Sequence, residues 1–180
     1  MAINEETILK SEIRWAWIVA AIVAVILIAI LYAALAMHIN PPSNREYVDP
    51  KTLHLSAEFT ESNLGTRVDP NGQIVARVIT TQFEFVPNCF VLPANRDVTM
   101  RLTSPDVIHG ILITGTNVNT RVVPGFVAQV HAQFTRADEL LMPCHEYCGL
   151  GHSEMWATVQ VLDAAAFKAD AEGRVTCAQR

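Results

Sequence analysis

From Trp15 to Met37 the chain carries no charged side chain, and the stretches before and after it are patterned differently. As a helix this run spans roughly 34 Å at about 1.5 Å per residue, enough to cross a hydrocarbon core of about 30 Å. Trp15, Trp17 and Tyr32 stand near its ends, where amphipathic rings favour a membrane–water boundary. A cleaved secretory signal is the competing reading, with Ala34-Leu35-Ala36 as its cleavage site. The apolar run is too long for a signal core, however, and the leader carries Glu5, Glu6 and Glu12. We therefore expect a polar leader over residues 1–14, capped by Asn4 or Thr7, and a membrane helix over 15–38. The helix should end at His38-Ile39-Asn40-Pro41-Pro42, since two prolines cannot continue it.

Residues 39–73 mix Pro, Asn, Ser and charge and close on Asp69-Pro70-Asn71-Gly72. They read as a linker holding at most one short helix around Pro50 to Glu58. From Ile74 the period becomes two. Val98, Met100 and Leu102 alternate with Thr99, Arg101 and Thr103, while Phe126, Ala128, Val130, Ala132 and Phe134 alternate with Val127, Gln129, His131 and Gln133. Such alternation marks half-buried strands. Turn signals separate them at Pro93-Ala94-Asn95, Ser104-Pro105-Asp106, Gly115-Thr116-Asn117 and Pro124-Gly125. Six or seven strands over residues 74–162 predict a mainly β domain, an antiparallel sandwich or Greek-key barrel. After it, Asp163 is placed to cap a short Ala-rich helix ended by Gly173, within a C-terminal helix and tail over 163–180.

Charge and composition narrow the functions open to this chain. The net charge of -5 argues against a nucleic-acid binder held by phosphate contacts. Lys10 and Arg14 precede the apolar run and Arg45 and Lys51 follow it, so flanking charge barely orients it. The sequence holds no Gly-rich phosphate loop, no Ser/His/Asp elbow and no Cys-x-x-Cys-His for covalent haem.

The chemistry concentrates in Pro143 to Trp156, PCHEYCGLGHSEMW, where Cys144, Cys148, His152 and Met155 fall within twelve residues. Thiolate with thioether selects copper over hard cations. One copper needs one Cys, two His and a weak Met, so the second thiolate is surplus to a mononuclear site. Two sulfurs can instead bridge two copper ions. A second imidazole is required, and His109 at the start of an apolar strand is the candidate; the backbone carbonyl of Glu146 is a candidate weak ligand beside Met155. Tetrahedral zinc on two Cys and two His would leave Met155 idle. A Cys144–Cys148 disulfide would leave both His unexplained. His145, inside the loop, is an alternative ligand or, as we read it, a solvated side chain or a neighbour of the ligands, His131 reads as surface, and His38 and His54 have no partners in sequence. Cys89 and Cys177 are open to pairing or to burial as free thiols. Phe83 and Phe85 alternate on one expected strand, as core or as a point where electrons enter.

These residues resemble subunit II of the haem-copper oxidase superfamily, the CuA-containing cytochrome c oxidase subunit 2. The likeness covers about residues 74–162. It is carried by Ser104-Pro105-Asp106-Val107-Ile108-His109-Gly110, Gly115-Thr116-Asn117-Val118-Asn119, Val123-Pro124-Gly125 and the Cys144 to Met155 loop. The resemblance implies a cupredoxin-like Greek-key domain and a dinuclear CuA centre on His109, Cys144, Cys148, His152, Met155 and the Glu146 carbonyl. It implies membership of an oxidoreductase complex whose oxygen site lies in another chain, subunit I. Electrons would come from a c-type cytochrome or small copper protein and pass to the low-spin haem of subunit I, which reduces oxygen to water. The domain would stand on the outer, periplasmic face of the inner membrane on a single helix, in contact with the lipid bilayer. One membrane helix, Phe83 and Phe85 in place of a Trp-rich strand, and the Ser-Pro-Asp-Val-Ile-His-Gly loop are similar to the B-type oxidases. Two rival readings stay open at this point: a nitric oxide reductase using the same donor domain, and a membrane-anchored copper chaperone.

Overall fold

The computed structural model describes residues 4–37 and 42–177, and divides at residue 39 into two compact units. The first is a single helix, α1 (Glu5–Ala36), whose N-cap Asn4 accepts a hydrogen bond from the Glu6 amide at 3.2 Å. The cap and the acidic pair Glu5 and Glu6 suit the positive end of the helix dipole. Helix therefore starts within the expected polar leader and runs unbroken through the apolar stretch. It is long and apolar enough to cross a membrane. The C-cap is Met37; the expected stop at His38 to Pro41 lies outside the described residues, as does His38 itself.

The second unit is a β-sandwich, as the period-two pattern predicts. One sheet contains β1 (Ser43–Tyr47), β9 (Phe126–Gln133), β6 (Asp97–Thr103), β3 (Ile74–Thr81), β2 (Gly65–Val68) and β12 (Arg174–Val175) in that order, with β4 (Glu84–Val86) paired to β3. The opposing layer holds β5 (Cys89–Pro93), β10 (Asp138–Pro143) and β11 (Trp156–Leu162), beside the hairpin β7 (His109–Leu112) and β8 (Asn119–Val122). Val98, Met100 and Leu102 point inward with Ala76, Val78, Phe90, Leu92 and Val159 to form the main core. The anticipated turns fall where expected, and Asn95 and Gly125 take the positive φ values that those turns require.

Three expectations need correction. First, residues 74–162 contain nine strands, not six or seven, and two pairings are parallel rather than antiparallel, β3 with β6 and β5 with β11. Chain passing from one layer to the other between β3 and β6 makes those neighbours run the same way.

Second, of the expected linker over 39–73, the described residues 42–73 belong to the sandwich. They supply β1, β2 and a 3-10 segment, Pro50–Leu55, that lies over the outer face of the large sheet. Leu53 and Phe59 are buried there against Val127, with Val48, Leu64 and Ile79 around them. Val127, assigned by alternation to the polar face, is thus buried on that face, while Phe126 is exposed beside Tyr47. Charge fixes the same segment: Glu58 forms ion pairs with Arg101 and, at 3.4 Å, with Arg77, and Glu46 of β1 reaches Arg101 at 2.7 Å. The Glu58 carboxylate, helped by Glu46, holds the Arg101 guanidinium above its ordinary pKa despite burial.

Third, among the described residues of the C-terminal segment, 163–177, there is no helix. Asp170 accepts hydrogen bonds from the amides of Glu172 and Arg174 at 3.0 and 2.7 Å, closing a turn that competes with helix. Phe167 and Val175 are buried and β12 joins the large sheet, so the segment belongs to the sandwich. Of the two states open to Cys89 and Cys177, the structure has the disulfide, which staples that segment to β5.

Candidate metal centre

The ligand loop is the long connection of the β10–β11 hairpin. Its base is closed by the Cys144 amide donating to the Met155 carbonyl at 3.0 Å, one step beyond the facing pair Pro143 and Trp156. Strand β7 lies along its other side: Ile111 bridges Cys144, and the His145 amide donates to the Gly110 carbonyl at 3.2 Å. At Gly110 a Cβ would sit 2.6 Å from the His145 ring, so any larger residue would push that ring aside. This contact brings His109, at the head of β7, to the sulfurs.

Cys144, Cys148, Met155 and His109 are all buried. The two thiol sulfurs lie 3.9 Å apart. His109 Nδ1 is 3.9 Å from Cys144 Sγ, and His152 Nδ1 is 3.6 Å from Cys148 Sγ. Met155 Sδ is 3.8 Å from Cys148 Sγ, and the Glu146 carbonyl oxygen is 3.3 Å from Cys144 Sγ. All six sequence-derived candidates are therefore gathered around one sulfur pair, and the ligand atoms of His109, Cys144 and Cys148 all lie within 4.8 Å of one another. The 3-10 turn His152–Glu154 carries the His152 ring, against which Tyr147 packs edge-on at 5.8 Å.

Of the remaining histidines, His145 is exposed and bonded to Asn119 Oδ1 at 2.7 Å, beside the site rather than in it. His131 lies on the surface with Thr99 and Gln129, and His54 is exposed. Phe83 and Phe85 are not on one strand. Phe83 sits in the β3–β4 turn, 39% exposed, whereas Phe85 is in β4 and wholly buried in the core. Phe85 therefore presents no surface to a partner. Phe83 lies against Gly149 and Gly151 of the ligand loop, where a Cβ would come within 2.5–3.0 Å of its ring.

Two residues around the ligands escaped the sequence reading. Asp106 Oδ1 is 2.9 Å from His109 Nε2, leaving Nδ1 to face the sulfurs. The three-residue spacing in Asp106-Val107-Ile108-His109 was the available signal. Gln82 donates from its carboxamide to the Cys148 carbonyl, and nothing in the sequence marked it.

The electrostatics favour the anionic form of one of the two sulfurs, Cys144. Burial works against the Cys144 thiolate, yet the His109 ring and the amides around the loop outweigh it and pull its pKa down to about 6. Burial and the neighbouring Cys144 charge push the Cys148 thiol up. Without a cation the pair thus gives up one proton readily and the second with difficulty. A metal ion removes that conflict, because coordinated thiols are deprotonated outright. Burial opposes the Asp106 charge, but bonds from His109, the amides of Gln82 and Val107 and the Ser104 hydroxyl bring its pKa down to about 2. Burial lowers the pKa of His109, and its bonds to Cys144 and Asp106 more than reverse this.

The donor set fits copper: two soft sulfurs, two imidazoles, a thioether and a carbonyl. The separation of the sulfurs is below twice a thiolate–metal bond of about 2.3 Å, so both can reach the same ion. A β-sandwich that gathers such ligands at one end is a copper-binding domain of the cupredoxin-like electron carriers.

Comparison with known proteins agrees. Residues 59–162 match the family model for the cytochrome c oxidase subunit II periplasmic domain. A cytochrome c oxidase subunit 2 of Thermus thermophilus is 35% identical over 140 residues, 76% of this chain and 83% of the relative. Another Thermus thermophilus cytochrome c oxidase subunit 2 is 36% identical over 122 residues, 67% of this chain and 90% of the relative. A chain of a heme-copper terminal oxidase dimer solved by cryo-electron microscopy shares the fold, with a TM-score of 0.63 and 24% identity over 84% of this chain and 99% of that one. The chain belongs to the cytochrome c oxidase subunit II family, whose members are subunits of an oxidoreductase complex.

Proposed function

We propose that this chain is the electron-accepting subunit of a terminal respiratory oxidase and holds a dinuclear copper centre. One observation carries the reading: two thiols 3.9 Å apart, ringed by two imidazole nitrogens, a thioether and a carbonyl oxygen. That is one thiol more than a single copper uses, and the donor set would be large enough to hold two ions. His109, Cys144, Cys148, His152, Met155 and the Glu146 carbonyl would hold the metal, which supplies one-electron redox chemistry when bound.

The protein's own contribution is to keep that site rigid and dry. Cys144, Cys148, Met155 and His109 are excluded from water, and Asp106 fixes the His109 ring. In this reading none of the described side chains acts as nucleophile or general acid. The helix Glu5–Ala36 anchors the domain in the inner membrane with the sandwich on the periplasmic side. Electrons arrive from a c-type cytochrome or small copper protein; Phe83, half in solvent and resting on the ligand loop, lies where a donor could approach. They leave by His152 towards the low-spin haem of subunit I, where oxygen is reduced to water.

The test is anaerobic mixing of the copper-loaded chain with a pre-reduced c-type cytochrome. Oxidation of the cytochrome, with bleaching of the copper absorption, is expected, and the Cys148→Ser variant should show neither. A cytochrome that stays reduced beside fully loaded parent protein refutes the reading.

A further inference from the structure

The β3–β4 turn touches both ligand-bearing loops at once. Its Gln82 amide donates to Asp106 Oδ2 at 2.7 Å, while the other oxygen of the same carboxylate meets His109 Nε2 at 2.9 Å. Its Gln82 carboxamide donates to the carbonyl of Cys148. Asp106 is held in turn by the Val107 amide at 2.6 Å and the Ser104 hydroxyl at 3.0 Å. The next residue, Phe83, lies on Gly149 and Gly151, whose missing side chains make room for its ring. A carboxamide on a surface turn ordinarily bonds whatever carbonyl is near. Here the bonded groups belong to two segments far apart in sequence, each carrying metal ligands.

We propose that Gln82 and Asp106 form one positioning clasp for the copper site, tying His109 to the Cys148 loop through the β3–β4 turn. The inference rests on copper occupying this site. Neither residue touches the metal. Asp106 sets the orientation of the His109 ring, and Gln82 sets the height of the Cys148 backbone against it. Without Gln82 the loop is free to shift relative to His109, and bonds that need both segments weaken together. Partners of this kind are worth about 10–100-fold in metal affinity.

The test uses the full-length chain in detergent, with copper affinity, the paramagnetic resonance spectrum of the loaded protein and the melting temperature of the metal-free protein measured together. Gln82→Met keeps the shape and removes the donor. Phe59→Ala, in the second apolar cluster rather than the one that holds Cys144, Cys148 and Met155, serves as the structural control. The clasp requires that Gln82→Met lose about 10–100-fold in copper affinity and change the copper hyperfine pattern. Phe59→Ala should lower the melting temperature and leave the hyperfine pattern alone. Asp106→Asn should behave as Gln82→Met does, and the double variant should lose less than the product of the two. Affinity and spectrum of Gln82→Met matching the parent overturn the clasp, as does a double variant equal to the product. A parent chain that takes up no copper overturns the functional reading as well, so the two failures are told apart.

Discussion

Phe59→Ala measures whether residues 42–64 are part of the fold. Phe59 is 1% exposed, packed with Leu53 and Val127 on the outer face of the large sheet. Burying a Phe ring contributes about 1.5–3 kcal/mol by transfer alone, and deletion of such rings costs about 3–5 kcal/mol once the cavity is counted. Here the cluster borders an apolar groove of about 420 Å³ lined by Leu53, Leu64, Ile79 and Pro105. Water and side chains can enter from it, so the lower end, about 3 kcal/mol, applies. For a domain of this size each kcal/mol moves the melting temperature by roughly 3–5 °C, giving a fall of roughly 10 °C. The assay is thermal unfolding of the metal-free, full-length chain in detergent, followed by near-ultraviolet circular dichroism. A shift under about 2 °C, well below that expectation, would mean that the segment rides on the sandwich without contributing to its cooperative unit.

Further expectations can be checked with the same protein. Glu58→Ala removes the shared partner of Arg101 and Arg77; because these side chains keep some solvent contact, a loss of about 1–2 kcal/mol is expected in urea unfolding, and Glu58→Gln should recover part of it. Reducing the Cys89–Cys177 disulfide, which closes a loop with a sequence separation of 88, should cost about 2–5 kcal/mol. Unfolding with and without reductant checks this, and identical midpoints would show the staple to be idle. Met155→Leu should retain copper with an altered reduction potential, read by redox titration; an emptied site would make Met155 a principal ligand. Deleting residues 1–41 should leave a soluble copper-binding domain, whereas deletion to residue 73 removes β1, Leu53, Phe59 and β2 and should leave aggregated protein on gel filtration.

The main sheet and the cluster of candidate ligands were legible because each has a short-range signature. Alternation over Val98 to Thr103 reports one buried face directly, and four ligands in twelve residues report a metal loop. In residues 42–64 only the short helix around Pro50 was legible, where the structure has the 3-10 segment Pro50–Leu55, and the rest was illegible for a physical reason. Their apolar anchors Leu53 and Phe59 are single residues without period, and Glu58 becomes structural only when Arg101 and Arg77 arrive from two other strands. The C-terminal segment misled in the opposite way. Its alanines favour helix, but the Asp170 turn and the burial of Phe167 and Val175 take precedence. Phe83 and Phe85 share parity in sequence, yet the chain turns between them. Gln82 could not be found at all, because its partner is a backbone carbonyl 66 residues away.

The most direct check is metal analysis of the purified chain combined with electron paramagnetic resonance of its oxidised form. Two copper ions per polypeptide and a multi-line spectrum from one electron shared between them are the predicted result. One copper with a four-line spectrum, or zinc in its place, would contradict a site built on two shared sulfurs.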